Sequence, residues 1–188
     1  MMELKEAILT RRSIRKFTDY KVTDKEILEL LESARFAPSW SNTQTWEFII
    51  IKEKKLIKEI TEAYSITNPA RPCSYECSLI IVGVSKLGVS GCRNGEQRTI
   101  HHEWYMCDMG IAIQNISLRA HDMGFGSVIV GSMDHKKIKE ILKVPEGFEV
   151  ICALPIGKPD EVKSVPKRKN MKDFIYLNIF GNDYEIND

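Results

Sequence analysis

The 188-residue chain is poor in the features that define several protein classes. No apolar run approaches the ~20 residues needed to span a bilayer, and no signal-peptide core follows Met1, so a cytoplasmic protein is expected. Charge of one sign is not in excess. Lys and Arg total 27 against 26 for Asp and Glu, a net of +1, which argues against a nucleic-acid coat or a membrane-surface patch. The five cysteines are an odd number without secretory context, so a disulfide scaffold is not expected. Cys73 and Cys77, with Cys92 and Cys107 later, lack the two-residue spacing of zinc knuckles and the third cysteine of a tight iron–sulfur motif, so no metal is expected. Gly124-Phe125-Gly126 lacks the third glycine of a dinucleotide-binding turn and follows a helix pattern rather than a strand. Neither a Walker A sequence nor a G-x-S-x-G elbow occurs. No linker rich in Gly, Ser or Pro divides the chain, and no repeat is visible. One domain over residues 1–188 is expected.

What is present is apolar periodicity. Glu3–Thr10 reads as a short helix. Thr23 and Glu26 form a capping box ahead of Ile27, Leu30, Leu31 and Ala34, a helical stripe that Pro38 should end. Trp46–Ile51 and Leu79–Val84 read as buried strands, Lys54–Tyr64 as a helix, and Lys86–Gln97 as a mobile glycine-bearing loop. From Glu103 to Asp122 the period is helical, with Gly124 as its stop. Ser127–Val130 and Glu149–Ile156 read as strands flanking a helix at Asp134–Leu142. The tail from Ser164 carries Phe174, Tyr176, Leu177, Ile179 and Phe180, which need a cover. Helices alternating with strands imply a layered α/β or α+β sandwich, and periodicity alone points to a doubly wound parallel sheet.

Two polar segments stand out. Arg11, Arg12, Arg15 and Lys16, with Ser13 among them, can grip a phosphate monoester through bidentate guanidinium contacts. Read alone, the same residues make a solvated basic turn. Ala37-Pro38-Ser39-Trp40-Ser41-Asn42-Thr43-Gln44-Thr45-Trp46 offers amides and hydroxyls suited to a polyol or a uracil-like ring edge, or simply caps a helix-to-strand loop. His101-His102-Glu103 reads as a surface helix end rather than a metal site, because adjacent helical residues point about 100° apart.

Taken together, these segments resemble the FMN-dependent nitroreductase family. Arg-Arg-Ser-x-Arg is followed by Ala-Pro-Ser-x-x-Asn-x-Gln-x-Trp before an apolar strand. Asp108–Gly131 is similar to that family's central helix and following strand, Leu154–Pro159 to its last core strand and turn, and Pro166-Lys167-Arg168-Lys169 to its late basic motif. Thr45 stands where the family often has proline. The resemblance implies an α+β fold: an α/β/α sandwich around a mainly antiparallel sheet, assembled as an intertwined homodimer. An arm from about residue 164 to 188 would pack on the partner. It also implies FMN as cofactor and NADH or NADPH as hydride donor. Arg11, Arg12, Ser13, Arg15, Lys167 and Arg168 would hold the phosphate and ribityl chain. Pro38, Ser39, Trp40, Asn42 and Gln44 would come from the other subunit. Ile129, Val130, Gly131 and Ser132 would pass along the flavin edge, where the N–H of Gly131 or Ser132 would donate to N5. The flavin would carry the chemistry without a catalytic side chain, serving a small electron-poor acceptor. A flavin-modifying or dehalogenating relative is the alternative on this fold. A phosphate- or nucleotide-binding module without turnover is the alternative outside it.

Overall fold

In the computed structural model, which describes residues 2–184, the apolar stripes become helices and the apolar runs become strands. Helix α1 (Leu4–Thr10) leads into an extended basic arm, then helix α2 (Asp24–Arg35). The α2 capping box forms as the sequence implies. The Glu26 N–H donates to Thr23 Oγ1 at 3.3 Å, and the Thr23 N–H donates to Glu26 Oε2 at 2.7 Å. A single 3₁₀ turn at Trp40–Asn42 precedes strand β1 (Trp46–Ile51). Helices α3 (Lys54–Glu62) and α4 (Arg71–Ser74) follow, then strand β2 (Leu79–Lys86). Short strands β3 (Cys92–Arg93) and β4 (Glu96–Gln97) lead to the long helix α5 (Trp104–Asp122). Strand β5 (Gly126–Ser127), helix α6 (His135–Ile141) and strand β6 (Phe148–Gly157) complete the body. Gly124 ends α5 with φ +76°, which lets the Phe125 N–H reach back to the Ala120 carbonyl at 2.7 Å.

The sheet runs in the order β1-β2-β6-β5, and every one of these pairings is antiparallel. The parallel sheet suggested by periodicity is therefore corrected, and the reason is visible in β2. Leu79 and Ile81 face a layer made by α2 and α5, whereas Ile80, Val82 and Val84 face α3, α4 and α6. A strand covered on both faces reads as one apolar run whichever way its neighbours point. A bulge opposite Gly83 and Val84 sets Ile151 and Cys152 towards the same layer. There α5 lies against the sheet, and a Cβ on Gly83 would sit 2.8 Å from Met109 Sδ.

The loop expected over Lys86–Gln97 is borne out over residues 87–91, which are turns, whereas residues 92–97 form a hairpin. Asn94 and Gly95, with φ 54° and 78°, supply the two left-handed residues of a type I′ turn between β3 and β4. His101 and His102 are exposed and precede α5 rather than lying on it. The strand expected over Ser127–Val130 is shorter, and Val130 pairs with Ala153 only through an isolated bridge. Among the described residues, no helix is long and apolar enough to cross a membrane.

Candidate functional site

The basic arm after α1 is laid onto the sheet edge by two glycines. Ser13 bridges Ser127 in parallel, with the Ile14 N–H donating to the Ser127 carbonyl at 3.0 Å. A Cβ on Gly126 would lie 2.6 Å from Ile14 Cβ, and one on Gly157 would lie 2.9 Å from Phe17 Cδ1. Neither position can carry a side chain unless the arm lifts. Further on, the Thr18 N–H donates to the Lys158 carbonyl at 2.9 Å.

Thus held, the arm forms one wall of a cavity of about 320 Å³ lined by Arg11, Arg12, Ser13, Arg15, Lys163, Ser164, Pro166 and Arg168. The late basic motif therefore meets the early one, although some 150 residues separate them. Lys167 does not line this cavity. Lys163 and Ser164 do, and no motif in the sequence announced them. Arg12 Nε and Arg15 Nε are buried without a hydrogen-bond partner, a state that costs about 1–3 kcal/mol per donor until something accepts from it. Burial, followed by repulsion from Arg12 and Arg168, holds the Arg11 guanidinium below its ordinary pKa. The same combination of burial with Arg11 and Arg12 lowers His121, whose Nε2 lies 2.7 Å from Thr10 Oγ1. One carboxylate stands nearby. Burial tends to raise Glu161, but hydrogen bonds from Lys163 and from the Arg15 N–H, the latter at 2.6 Å, hold it below the usual range. Crowded guanidiniums with unspent donors are matched by a doubly charged phosphate monoester.

The stretch after β5 follows Ser127, the neighbour of Ser13. Val130 is buried, and both its N–H and its carbonyl pair with Ala153. Its side chain therefore belongs to the core, and only its backbone can border a ligand. Ile129 is about half exposed. Ser132 Oγ lies 2.7 Å from Ser65 Oγ, and the Ser132 carbonyl accepts from the Ser65 N–H and from Asn68. Among the described residues, the N–H groups of Gly131 and Ser132 have no acceptor.

The polar loop is shaped differently. Ser41, Asn42 and Gln44 have φ of 45°, 57° and 46°, left-handed values that cost side-chain-bearing residues energy. The loop is tied internally by the Gln44 N–H, which donates to Ser39 Oγ at 2.9 Å, and externally by the Trp40 N–H, which donates to Asp108 Oδ1 at 3.0 Å. Pro38, Asn42 and Gln44 are exposed, and Trp40 is half-buried against Trp104 with ring centroids 5.1 Å apart.

Within one chain this loop and the arginine cavity do not meet. The loop enters β1 at Trp46, which pairs with Ser85 and through it with Glu149, while Ser13 neighbours Ser127, which pairs with Ile156. At ~4.8 Å between strands and ~3.4 Å per residue along them, the two are about 19 Å apart across the sheet and about 24 Å along it.

The sequence profile of the Nitroreductase family matches residues 8–75 and 88–158, which include the arginine arm, the polar loop, α5 and the 129–132 stretch. The chain belongs to the nitroreductase family. A nitroreductase family protein from Clostridium novyi has a similar solved structure, with TM-score 0.75, 31% identity and 97% of each chain covered. The FMN-dependent nitroreductase of Clostridium difficile is 26% identical with TM-score 0.78, over 94% of this chain and 100% of that one. The FMN reductase (NADPH) of Bacillus subtilis is 27% identical over 194 residues, 97% of this chain and 74% of the relative. In this nitroreductase family member Cys73, Cys77 and Cys152 are buried free thiols. Burial pushes Cys77 and Cys152 up to about 12. Among the described residues, no group of His, Cys, Asp or Glu is arranged to hold a metal ion.

Proposed function

We propose that the protein is an FMN-dependent oxidoreductase that takes a hydride from NADH or NADPH and passes it, in a ping-pong sequence, to an electron-poor small molecule such as a nitroaromatic, a quinone or an enone. The observation that carries this reading is the arginine cavity, with two buried guanidinium donors unspent. Two relatives, an FMN-dependent nitroreductase and an FMN reductase using NADPH, support the cofactor and the donor.

Bound FMN would supply the hydride-accepting and hydride-donating centre. The chain's own residues would do the rest. Arg11, Arg12, Ser13, Arg15 and Arg168, with Lys163 and Ser164, would neutralise the phosphate and fix the ribityl chain. The free N–H of Gly131 or Ser132 would point a fixed donor at N5, with no titrating group to lose its proton. Pro38, Ser39, Trp40, Asn42 and Gln44 would line the ring from a second copy of the chain, because the sheet keeps them far from the cavity of their own chain.

A homodimer is therefore part of the proposal. Phe36, Met106, Phe174, Ile179 and Phe180 are exposed apolar side chains that such an assembly would cover. We read residues 1–188 as one FMN-binding domain whose arm, from about residue 164, packs on the partner. Residues 185–188 of that arm lie outside the described residues. Five free thiols fit a reducing cytoplasm.

The test is the visible spectrum of the purified protein supplied with FMN. Flavin bands that bleach with NADH or NADPH without oxygen, and return on adding a nitroaromatic or quinone, are the expected result. Bands that persist with both nicotinamides would remove NAD(P)H as donor. A protein that retains no FMN would overturn the reading.

A further inference from the structure

The polar loop at 39–44 and the hairpin at 90–99 are distant in sequence, yet both rest on the first two turns of α5. Asp108 is 2% exposed, and both of its oxygens are engaged. Oδ1 accepts the Trp40 backbone N–H at 3.0 Å, and Oδ2 accepts the hydroxyl of Ser90, itself 2% exposed, at 2.7 Å. One turn earlier, Trp104 touches the same two segments through apolar contacts. Its ring centroid is 5.1 Å from that of Trp40, and a Cβ on Gly91 would lie 2.8 Å from its Cδ1. The Trp104 indole N–H donates to Thr99 Oγ1 at 2.8 Å, and the Arg98 N–H closes the hairpin base on the Gly91 carbonyl at 2.9 Å. Residues four apart on a helix share a face. One face of α5 therefore carries two clasps, polar and apolar, closed on one pair of segments.

We infer that Asp108 and Trp104 are positioning residues that lock the loop assigned to FMN onto the hairpin, so that the hairpin forms part of the wall past which the electron acceptor enters. The inference rests on the oxidoreductase reading above. The loop needs such a lock because three of its residues hold left-handed backbone; unfastened, they relax and the loop loses its shape. A carboxylate suits the post because the backbone N–H of Trp40 can only donate, and ionised acceptors make the stronger bonds. Asparagine would preserve the shape of the clasp. Its carbonyl accepts from Trp40 while its amide donates to the Ser90 oxygen, because a hydroxyl can turn to either role.

The test uses the full-length protein and three variants, Asp108→Ala, Asp108→Asn and Ser90→Ala. It reads amide hydrogen exchange, FMN affinity, and kcat and KM for menadione. Asp108→Ala should speed exchange by about tenfold or more in peptides covering both 39–45 and 89–99, with β2 and β6 unchanged, and weaken FMN by a similar factor. Ser90→Ala should loosen only the 89–99 peptide and raise the menadione KM with little change in kcat or FMN affinity. Asp108→Asn should restore most of both. An Asp108→Ala protein with neither segment loosened overturns the inference. So does a Ser90→Ala protein that loses FMN without any change in KM. Should Asp108→Ala not fold, Ser90→Ala and Asp108→Asn still decide the question. If the unsubstituted protein neither binds FMN nor reduces menadione, the oxidoreductase reading fails, while the exchange data judge the clasp separately.

Discussion

Replacing Gly126 by alanine should weaken FMN binding without touching any residue that contacts FMN in the proposed site. The added Cβ would stand 2.6 Å from Ile14 Cβ, 2.7 Å from its Cγ2 and 2.8 Å from its Cγ1, whereas ordinary contact begins at 3.4 Å. Ile14 cannot swing clear by a rotamer change, because its own Cβ is the nearest atom. The arm backbone must retreat by about 0.8 Å, and Overpacking of this kind costs about 1–3 kcal/mol. Arg15 is next to Ile14 and Arg12 two residues before it, so the retreat displaces the two guanidiniums whose Nε donors are unspent. If the arm yields, the strain appears mainly as lost cofactor affinity, a rise in the FMN Kd of roughly 5–150-fold. Flavin fluorescence titration of the FMN-free protein measures this, with thermal unfolding of the same protein alongside. A lowered Tm with an unchanged Kd would refute the reasoning, since the strain would then have gone into the core and the arm would not owe its place to Gly126.

Arg12→Ala and Arg168→Ala should each raise the FMN Kd by about 10- to 100-fold, the worth of a hydrogen bond to a charged group. Each should also flatten the dependence of Kd on salt, while the hydride step in FMN-saturated enzyme changes far less. Equal affinity in either variant would remove that arginine from the phosphate site. Stability should fall above about pH 9, because Cys77 and Cys152 are pushed by burial from an ordinary 9.0 up to about 12. Their neutral form is favoured in the fold, so this contribution is complete below pH 9 and is lost as the unfolded thiols ionise, by about 1.4 kcal/mol per thiol per pH unit. Denaturant midpoints followed upward from pH 8 would show it, and a Cys77→Ala, Cys152→Ala protein should lose the extra slope. Thr23→Ala should cost about 1 kcal/mol of stability through loss of the α2 cap, with NAD(P)H oxidation unchanged below the melting range; an unshifted Tm would mean the box contributes nothing.

How far the molecule could be read from its sequence depends on the range of the interactions involved. Strand β1 falls at Trp46–Ile51 and helix α5 at Trp104–Asp122, as their apolar patterns imply, because burial of a face leaves a local period. The direction of the sheet leaves no such trace, since β2 is covered on both faces. The Asn94-Gly95 hairpin carried a readable signal that the surrounding polar residues obscured. The meeting of Arg168 with Arg11, Arg12 and Arg15 was legible only through the family resemblance. Lys163 and Ser164 were not legible at all, because the turn that brings them in is set by Glu161 bonding the Arg15 N–H across the whole chain. The motif alone points Val130 at the flavin edge, whereas its burial against β6 follows from the strand pairing, which leaves no local trace in the sequence.

The same long-range geometry would explain why the proposed site comes in two halves. A cluster of guanidiniums is best tolerated at an edge, where water can reach the charge, and here the arm lies beyond the edge strand β5. A loop holding three left-handed residues is stable only where a buried partner fastens it, and here the partner is Asp108 on the helix that crosses the other end of the sheet. One demand favours exposure and the other favours burial, so a single sheet places them far apart. In the proposed function, joining them over FMN would fall to a second copy of the chain. Its contact surface is available in the apolar side chains that α2, α5 and the arm leave uncovered. The proposed dimer would then be a condition of the proposed site, because neither half can move to the other without giving up what stabilises it.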